Sequence, residues 1–255
     1  MTAFAGTFAK RGYLAIEELF DPLLIKAVHA EYQTQFEGFD LDHLPPHLAV
    51  GKGRFQVPIE LKGPLLDPML CANPLLLHMV ETLLGTDLLI DSLTCVTAFP
   101  GAPEQELHRD HPALFPAEEN PSPCFALSVA VPLIDLTPET GSTRVFPGTH
   151  LTREGPKPGE DPGESDPSHL ALGGCYFMDS RLWHQGAANR SDKPRPVLYI
   201  VYSRPWFTDL VNFRKHERIK LSKDELIAMP TRQRALFRRL AAKGSADLTE
   251  AELLG

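Results

Sequence analysis

In the first third of the chain, apolar residues recur at the spacing of a helix face. Asp21 and Pro22 open a segment in which Leu24, Val28, Tyr32 and Phe36 fall on one side, and Asn73 and Pro74 open another through Leu75, Met79 and Leu83 to Gly85. An Asx side chain accepts hydrogen bonds from the first free amides of a helix, and proline fits the first turn, where its missing donor is not needed. Both segments therefore predict helices with one buried stripe, with one short strand beside them.

From Leu88 the period changes. LLIDSLTCVTAFPG, CFALSVAVPLIDL, TRVFPG, GCYFMDS and PRPVLYIVYSRPW are β-branched or aromatic runs separated by Gly, Pro, Asn and Asp, the signature of short antiparallel strands. The fold class is mainly β with flanking helices, a barrel or sandwich. In CFALSVAVPLID, Ala126, Ser128 and Ala130 share one face and Phe125, Leu127 and Val129 the other, so one face is small and partly polar, as a cavity wall would be.

Between Arg153 and Ser168, REGPKPGEDPGESDPS is rich in Gly, Pro and acidic residues and cannot bury enough apolar surface to order itself. Strand-like sequence resumes directly after it, so it reads as a mobile loop or lid within the β region. After Trp206 the chain returns to helix, with Phe213, Leu221, Leu226 and RQRALFRRL, which reads as a solvated amphipathic helix. No repeats are seen. The expectation is a single domain spanning 1–255, with a helical part over about 1–86, a β core over about 87–206 and a helical tail over about 207–255.

Composition narrows the classes. The formal net charge of −8 argues against a nucleic-acid groove, and 43% hydrophobic with 23% charged residues argues against disorder of the whole chain. No stretch reads as a membrane span and the opening MTAFAGTFAKRGYLAIEE does not read as a signal peptide, so no membrane partner and a cytoplasmic location are expected. Cys71, Cys95, Cys124 and Cys175 are scattered, as reduced thiols packed as small hydrophobes would be.

Candidate chemistry rests on His108 and Asp110 in QELHRDHP, His184 in DSRLWHQG, and Arg195 in SDKPRPVLYIVYS. In an extended segment His108 and Asp110 project to one side and Arg109 to the other. Two imidazoles and a carboxylate form the facial triad of non-haem iron oxygenases, with His184 as the second imidazole. An H-x-D tripeptide alone carries almost no information. Its context carries more: it follows a strand ending in Phe99-Pro100-Gly101, and a turn at ANRSDKP is expected to set the next strand antiparallel to the His184 segment, with Arg195 facing the same cavity.

AVPLIDLTPETGSTRVFPGTH, followed by FMDSRLWHQGAANRSDKPRPVLYIVY, resembles the phytanoyl-CoA dioxygenase-like group of Fe(II)/2-oxoglutarate oxygenases, from about Phe8 to about Arg204. The resemblance implies a double-stranded β-helix, or jelly roll, with helices on its outside. It implies His108, Asp110 and His184 as Fe(II) ligands, Arg195 as partner of the distal carboxylate of 2-oxoglutarate, and Thr97 and Ser128 as further co-substrate contacts. The implied reaction is dioxygen-dependent hydroxylation, or another oxidation, of a small organic substrate with release of succinate and CO2. Arg109 stands where relatives often carry Gln, and Gly186 where some carry Ser. Asp110 speaks against halogenation, because halogenating relatives have a small residue there.

His111, His150 and His169 are expected to be structural or exposed, Trp183 to pack outward, and Asp179 and Asn189 to fix turns. Two other readings stay open: a catalytically silent small-molecule binder, and a metal-dependent enzyme that does not use 2-oxoglutarate.

Overall fold

A computed structural model describes residues 2–37, 45–115, 122–156, 163–209 and 219–239. It contains α1 (Thr2–Arg11), β1 (Tyr13–Ile16), α2 (Pro22–Gln35), β2 (Arg54–Pro58), α3 (Pro68–Cys71), α4 (Pro74–Leu84), β3 (Leu89–Ala98), β4 (Ala126–Pro132), β5 (Thr143–Val145), β6 (Asp166–Pro167), β7 (Cys175–Asp179), β8 (His184–Gly186), β9 (Arg195–Ser203), α5 (Lys223–Ala228) and α6 (Thr231–Leu236). Two antiparallel sheets face each other as a jelly roll, a large one in the order β1-β7-β4-β9-β3-β2 and a small one in the order β6-β5-β8.

The helices start as the Asx-Pro pairs dictate. The Asp21 side chain accepts from Leu23 N at 2.8 Å and Asn73 from Leu75 N at 2.9 Å, each followed by proline in the first turn. Such a cap stabilises a helix by about 1 kcal/mol. A third pair, Asp67-Pro68, starts α3 in the same way. The buried stripe of α4 differs from expectation. Leu76, Leu77, Val80 and Leu84 point inward beside Met79, and Leu75 is exposed, because the cap at Asn73 sets the phase of the first turn.

These helices cover the outer face of the large sheet. Ile25, Val28, Leu76 and Val80 join Leu93, Cys95, Leu127, Val129, Phe177, Leu198 and Ile200 in one apolar cluster. The alternation read in β4 holds: Leu127 and Val129 face the helices, and Ser128 faces the cavity between the sheets. One end of that space is filled by Val145 and Leu182 against Tyr176, Met178 and Val197. The first third of the chain supplies two strands where one was expected, and β1 and β2 form the two edges of the large sheet.

The strand after ANRSDKP does not pair with the His184 segment. β8 belongs to the small sheet against β5, while β9 crosses to the large sheet between β3 and β4. Asn189 fixes that crossing, donating to Ala98 O at 2.9 Å and Lys193 O at 2.7 Å. Phe213 and residues 157–162 of the expected lid lie outside the described residues. The C-terminal end of that loop carries β6, held to the outer edge of β5 and to Arg11 and Tyr13 through Asp166. RQRALFRRL is not simply a solvated face. Arg238 and Arg239 reach Asp87 and Asp91 and tie the tail to β3. No described helix is long and apolar enough to cross a membrane.

Candidate active site

His108 and His184 are joined by a two-way backbone bridge, with His108 N to His184 O at 3.0 Å and His184 N to His108 O at 2.8 Å. The bridge adds the His108 segment to the small sheet beside β8 and stacks the rings with centroids 4.3 Å apart. The Nδ1 of His108 lies 2.8 Å from Glu106 O, and the Nδ1 of His184 lies 2.9 Å from Leu182 O. A carbonyl only accepts, so in both rings Nδ1 carries the proton and Nε2 keeps its lone pair for a metal.

Asp110 completes the set, with Oδ1 3.8 Å from His184 Nε2. One ligand atom from each of the three residues lies within 4.8 Å of the others, the spacing of donors around one ion. His184 is buried and Asp110 is partly exposed, so the site opens on the carboxylate side. Burial, helped by His108, holds the His184 imidazole below its usual value against the pull of Asp110, which favours the neutral, ligating form. Two neutral imidazoles and one carboxylate suit a divalent iron that keeps positions open for other ligands.

The triad lines a cavity of about 230 Å³ shared with Arg54, Gln56, Thr94, Gln105, Ser128, Thr143, Arg195 and Tyr199. Arg195 is buried; its Nη1 lies 3.5 Å from Ser142 O and 3.4 Å from Ala187 O, both long, and its Nε has no partner among the described residues. Gly141 makes room for it: at φ 77°, a Cβ there would sit 2.5 Å from Ala188 O and 3.0 Å from Arg195 Nη1. Thr143, Tyr176 and Tyr199 form a hydroxyl cluster beside this end, with Thr143 Oγ1 to Tyr176 OH at 2.5 Å.

Of the six residues expected in the site, the structure gathers His108, Asp110, His184, Arg195 and Ser128 around the cavity. Thr97 is not brought there, and that expectation is corrected. It lies on the helix-facing side of β3, where its hydroxyl meets Tyr32 OH at 2.6 Å, and the residues of β3 that line the cavity are Asp91, Ser92, Thr94 and Val96. Sequence reasoning missed Arg54. It is buried, donates to Pro103 O, to Gly186 O at 3.2 Å and to Ala187 O at 2.6 Å, and its Nε has no partner among the described residues. Burial and then Arg195 lower its pKa to about 10. Gln105 was missed too; it accepts from Gly186 N at 3.2 Å and donates to Val50 O at 2.9 Å. Gly186 accommodates both residues, since a Cβ there would fall 3.0 Å from Gln105 Oε1 and 3.2 Å from Arg54 Nε.

His111 lies against Asp209 at 3.4 Å and lines the far end of the cavity, whereas His150 is buried against Ala9 O, away from it. Asp179 caps its own turn and pairs with buried Arg181.

Residues 8–197 match the family described as Phytanoyl-CoA dioxygenase (PhyH). The chain belongs to the phytanoyl-CoA dioxygenase family. Similar curated members include "Dioxygenase af480" of Aspergillus fumigatus, 32% identical over 143 residues covering 55% of this chain and 46% of that protein. "Dioxygenase trt7" of Aspergillus terreus is 36% identical over 99 residues, 38% of this chain and 34% of that protein. The chain thus spans less than half the length of these two relatives.

Solved structures share the fold. The non-heme alpha ketoglutarate dependent epimerase SnoN from nogalamycin biosynthesis aligns with a TM-score of 0.61 at 22% identity, over 79% of this chain and 82% of that one. HygX from Streptomyces hygroscopicus, solved with nickel, 2-oxoglutarate and hygromycin B bound, aligns with a TM-score of 0.61 at 16% identity, over 86% of this chain and 96% of that one.

Proposed function

We propose that this family member is a non-haem Fe(II)- and 2-oxoglutarate-dependent dioxygenase that hydroxylates, or otherwise oxidises, a small organic substrate. The observation that carries this reading is the meeting, in one cavity, of His108, Asp110 and His184 with a buried guanidinium, Arg195, that has no carboxylate within ion-pair distance among the described residues. A buried cation without a counter-ion is costly, and a dicarboxylate would relieve that cost. A silent binder would have no use for the full set.

His108, Asp110 and His184 would hold the iron, with the two Nδ1 bonds keeping the rings in the ligating tautomer. When bound there, iron and 2-oxoglutarate supply the oxidising power: dioxygen is consumed, the keto acid leaves as succinate and CO2, and one oxygen atom goes to the substrate. Arg195 would take the distal carboxylate as a planar fork matched to two oxygens, with Thr143 and Tyr199 alongside. Ser128 remains a candidate contact on β4, the strand beside the one that carries Arg195. The deep end around Arg195 keeps water from the co-substrate, and the substrate would approach from the open side at Asp110. The free thiols fit a reducing compartment and hence a cytoplasmic location.

The test is oxygen consumption and succinate release by purified protein with Fe(II) and 2-oxoglutarate. Slow turnover without added substrate is expected in the wild type and none in His108→Ala. Equal succinate release from both proteins would remove the assignment. Retained metal binding without any 2-oxoglutarate dependence would favour a metal enzyme of another kind.

A further inference from the structure

On the reverse side of the metal centre, Arg109 and Trp183 make the matching pair. Because His108 is bridged to His184, Arg109 stands across from Trp183 on the outer face of the same two segments. The guanidinium carbon of Arg109 lies 5.3 Å from the Trp183 ring centre. Its Nη1 lies 3.4 Å from Thr152 O and its Nη2 donates to Arg153 O at 3.1 Å. The chain then lays Gly155 on the indole, so closely that a Cβ there would fall 1.8 Å from Cζ2. The start of the acidic Pro/Gly loop is thereby packed against the back of the segments that carry all three metal ligands.

We infer that Arg109 and Trp183 are positioning residues for the metal, an outer cross-strand pair that holds the His108 and His184 segments in register and couples metal binding to the seating of residues 152–156. The inference rests on the metal reading of the triad. The physical need is local. Besides the two-way bridge, the segments share the backbone bonds Gln105 N to Gly186 O at 2.8 Å and His111 N to Ser180 O at 2.9 Å, spaced bonds and not a continuous ladder, so side-chain contacts contribute to the stiffness that fixes the ligand spacing. Cross-strand side-chain pairs supply that stiffness in sheets, and a cation on an indole is among the stronger ones. Arg109 reaches no metal-facing position, so its effect on the metal passes through geometry. The loop contact gives the coupling direction: ordering the ligand segments fixes Arg109, and Arg109 holds the carbonyl of Arg153.

The experiment titrates redox-inert Ni(II) into the full-length protein by calorimetry and follows tryptic cleavage after Arg153 with and without the metal. In the wild type, Ni(II) should slow that cleavage. Arg109→Met should bind Ni(II) about ten-fold more weakly, as loss of an outer support for ligands commonly does, and the metal should no longer protect Arg153. Arg109→Lys, which keeps a cation over the ring, should recover most of the affinity. Trp183→Leu should repeat the Arg109→Met result and serves as the second variant should the first lose its cooperative unfolding.

Wild-type affinity and protection in a folded Arg109→Met or Trp183→Leu protein would overturn the inference, as would an Arg109→Lys protein no better than Arg109→Met. His108→Ala separates the two layers. Loss of Ni(II) binding there with normal Arg109→Met sinks only the outer pair, whereas normal binding by His108→Ala sinks the metal centre and this inference with it.

Discussion

Arg54 and Arg195 stand in one register row, on either side of Ala98, on three neighbouring strands of the large sheet. The small side chain between them leaves two buried guanidinium groups facing the same cavity end, each with an Nε that has no partner among the described residues. Burial lowers the pKa of both, and their mutual repulsion lowers that of Arg54 further. Arg54 gives its Nη groups to the backbone of Pro103, Gly186 and Ala187, so it fastens the segments on either side of the triad. Among the described residues Arg195 has only long contacts to carbonyls, which supports its proposed role as the guanidinium that takes an external anion.

Arg195→Ala should therefore raise the Kd for 2-oxoglutarate by at least about 30-fold, equivalent to the ~2 kcal/mol lower end for truncating a buried charge partner. Ni(II) affinity should stay at the wild-type value. Calorimetry of both ligands checks this, and an unchanged co-substrate affinity would remove the role given to Arg195.

Thr97→Val should cost about 1–3 kcal/mol of stability, because it leaves the buried Tyr32 hydroxyl without its 2.6 Å partner. The 2-oxoglutarate Kd should not move. Denaturant unfolding and calorimetry together distinguish this helix-anchoring role from a place in the cavity.

The case of Thr97 marks the limit of what the chain discloses by itself. The strands of the β core and the His-x-Asp and second His segments were legible because alternation and Gly/Pro punctuation are local signals. Which face of β3 looks inward is not local. It depends on the pairing of β3 with β2 and β9, and Thr94 and Thr97 look alike until that register exists. Arg54 was invisible for a related reason. It sits in a five-residue edge strand inside a region that reads as helical, and only the row through Ala98 brings it to Arg195. The crossing of β9 away from β8 is likewise decided by which sheet can accept a nine-residue strand.

Acid should destabilise the protein partly through His150. Burial holds this imidazole below the usual 6.5 of histidine, with Arg181 adding to that and Asp179 opposing it. As pH falls below 6.5 the unfolded chain takes up a proton that the folded chain resists, so stability drops until the folded value is passed. His150→Gln should flatten the fall in stability between pH 7 and pH 5, by at most about 1.4 kcal/mol per pH unit, and with it the fall in Tm. His29 and His184, also lowered by burial, contribute equally to both proteins and cancel in the comparison. Parallel Tm profiles would show that His150 titrates alike in the folded and unfolded chains.

The central claim, one iron held by His108, Asp110 and His184 beside a 2-oxoglutarate anchored on Arg195, is tested most directly by anaerobic Fe(II) titration of the 2-oxoglutarate-saturated protein, followed in the visible spectrum. The account predicts a weak charge-transfer band that saturates at one iron per chain and is missing in His184→Ala. A wild-type protein that binds both ligands without the band, or a His184→Ala protein that keeps it, would contradict the account.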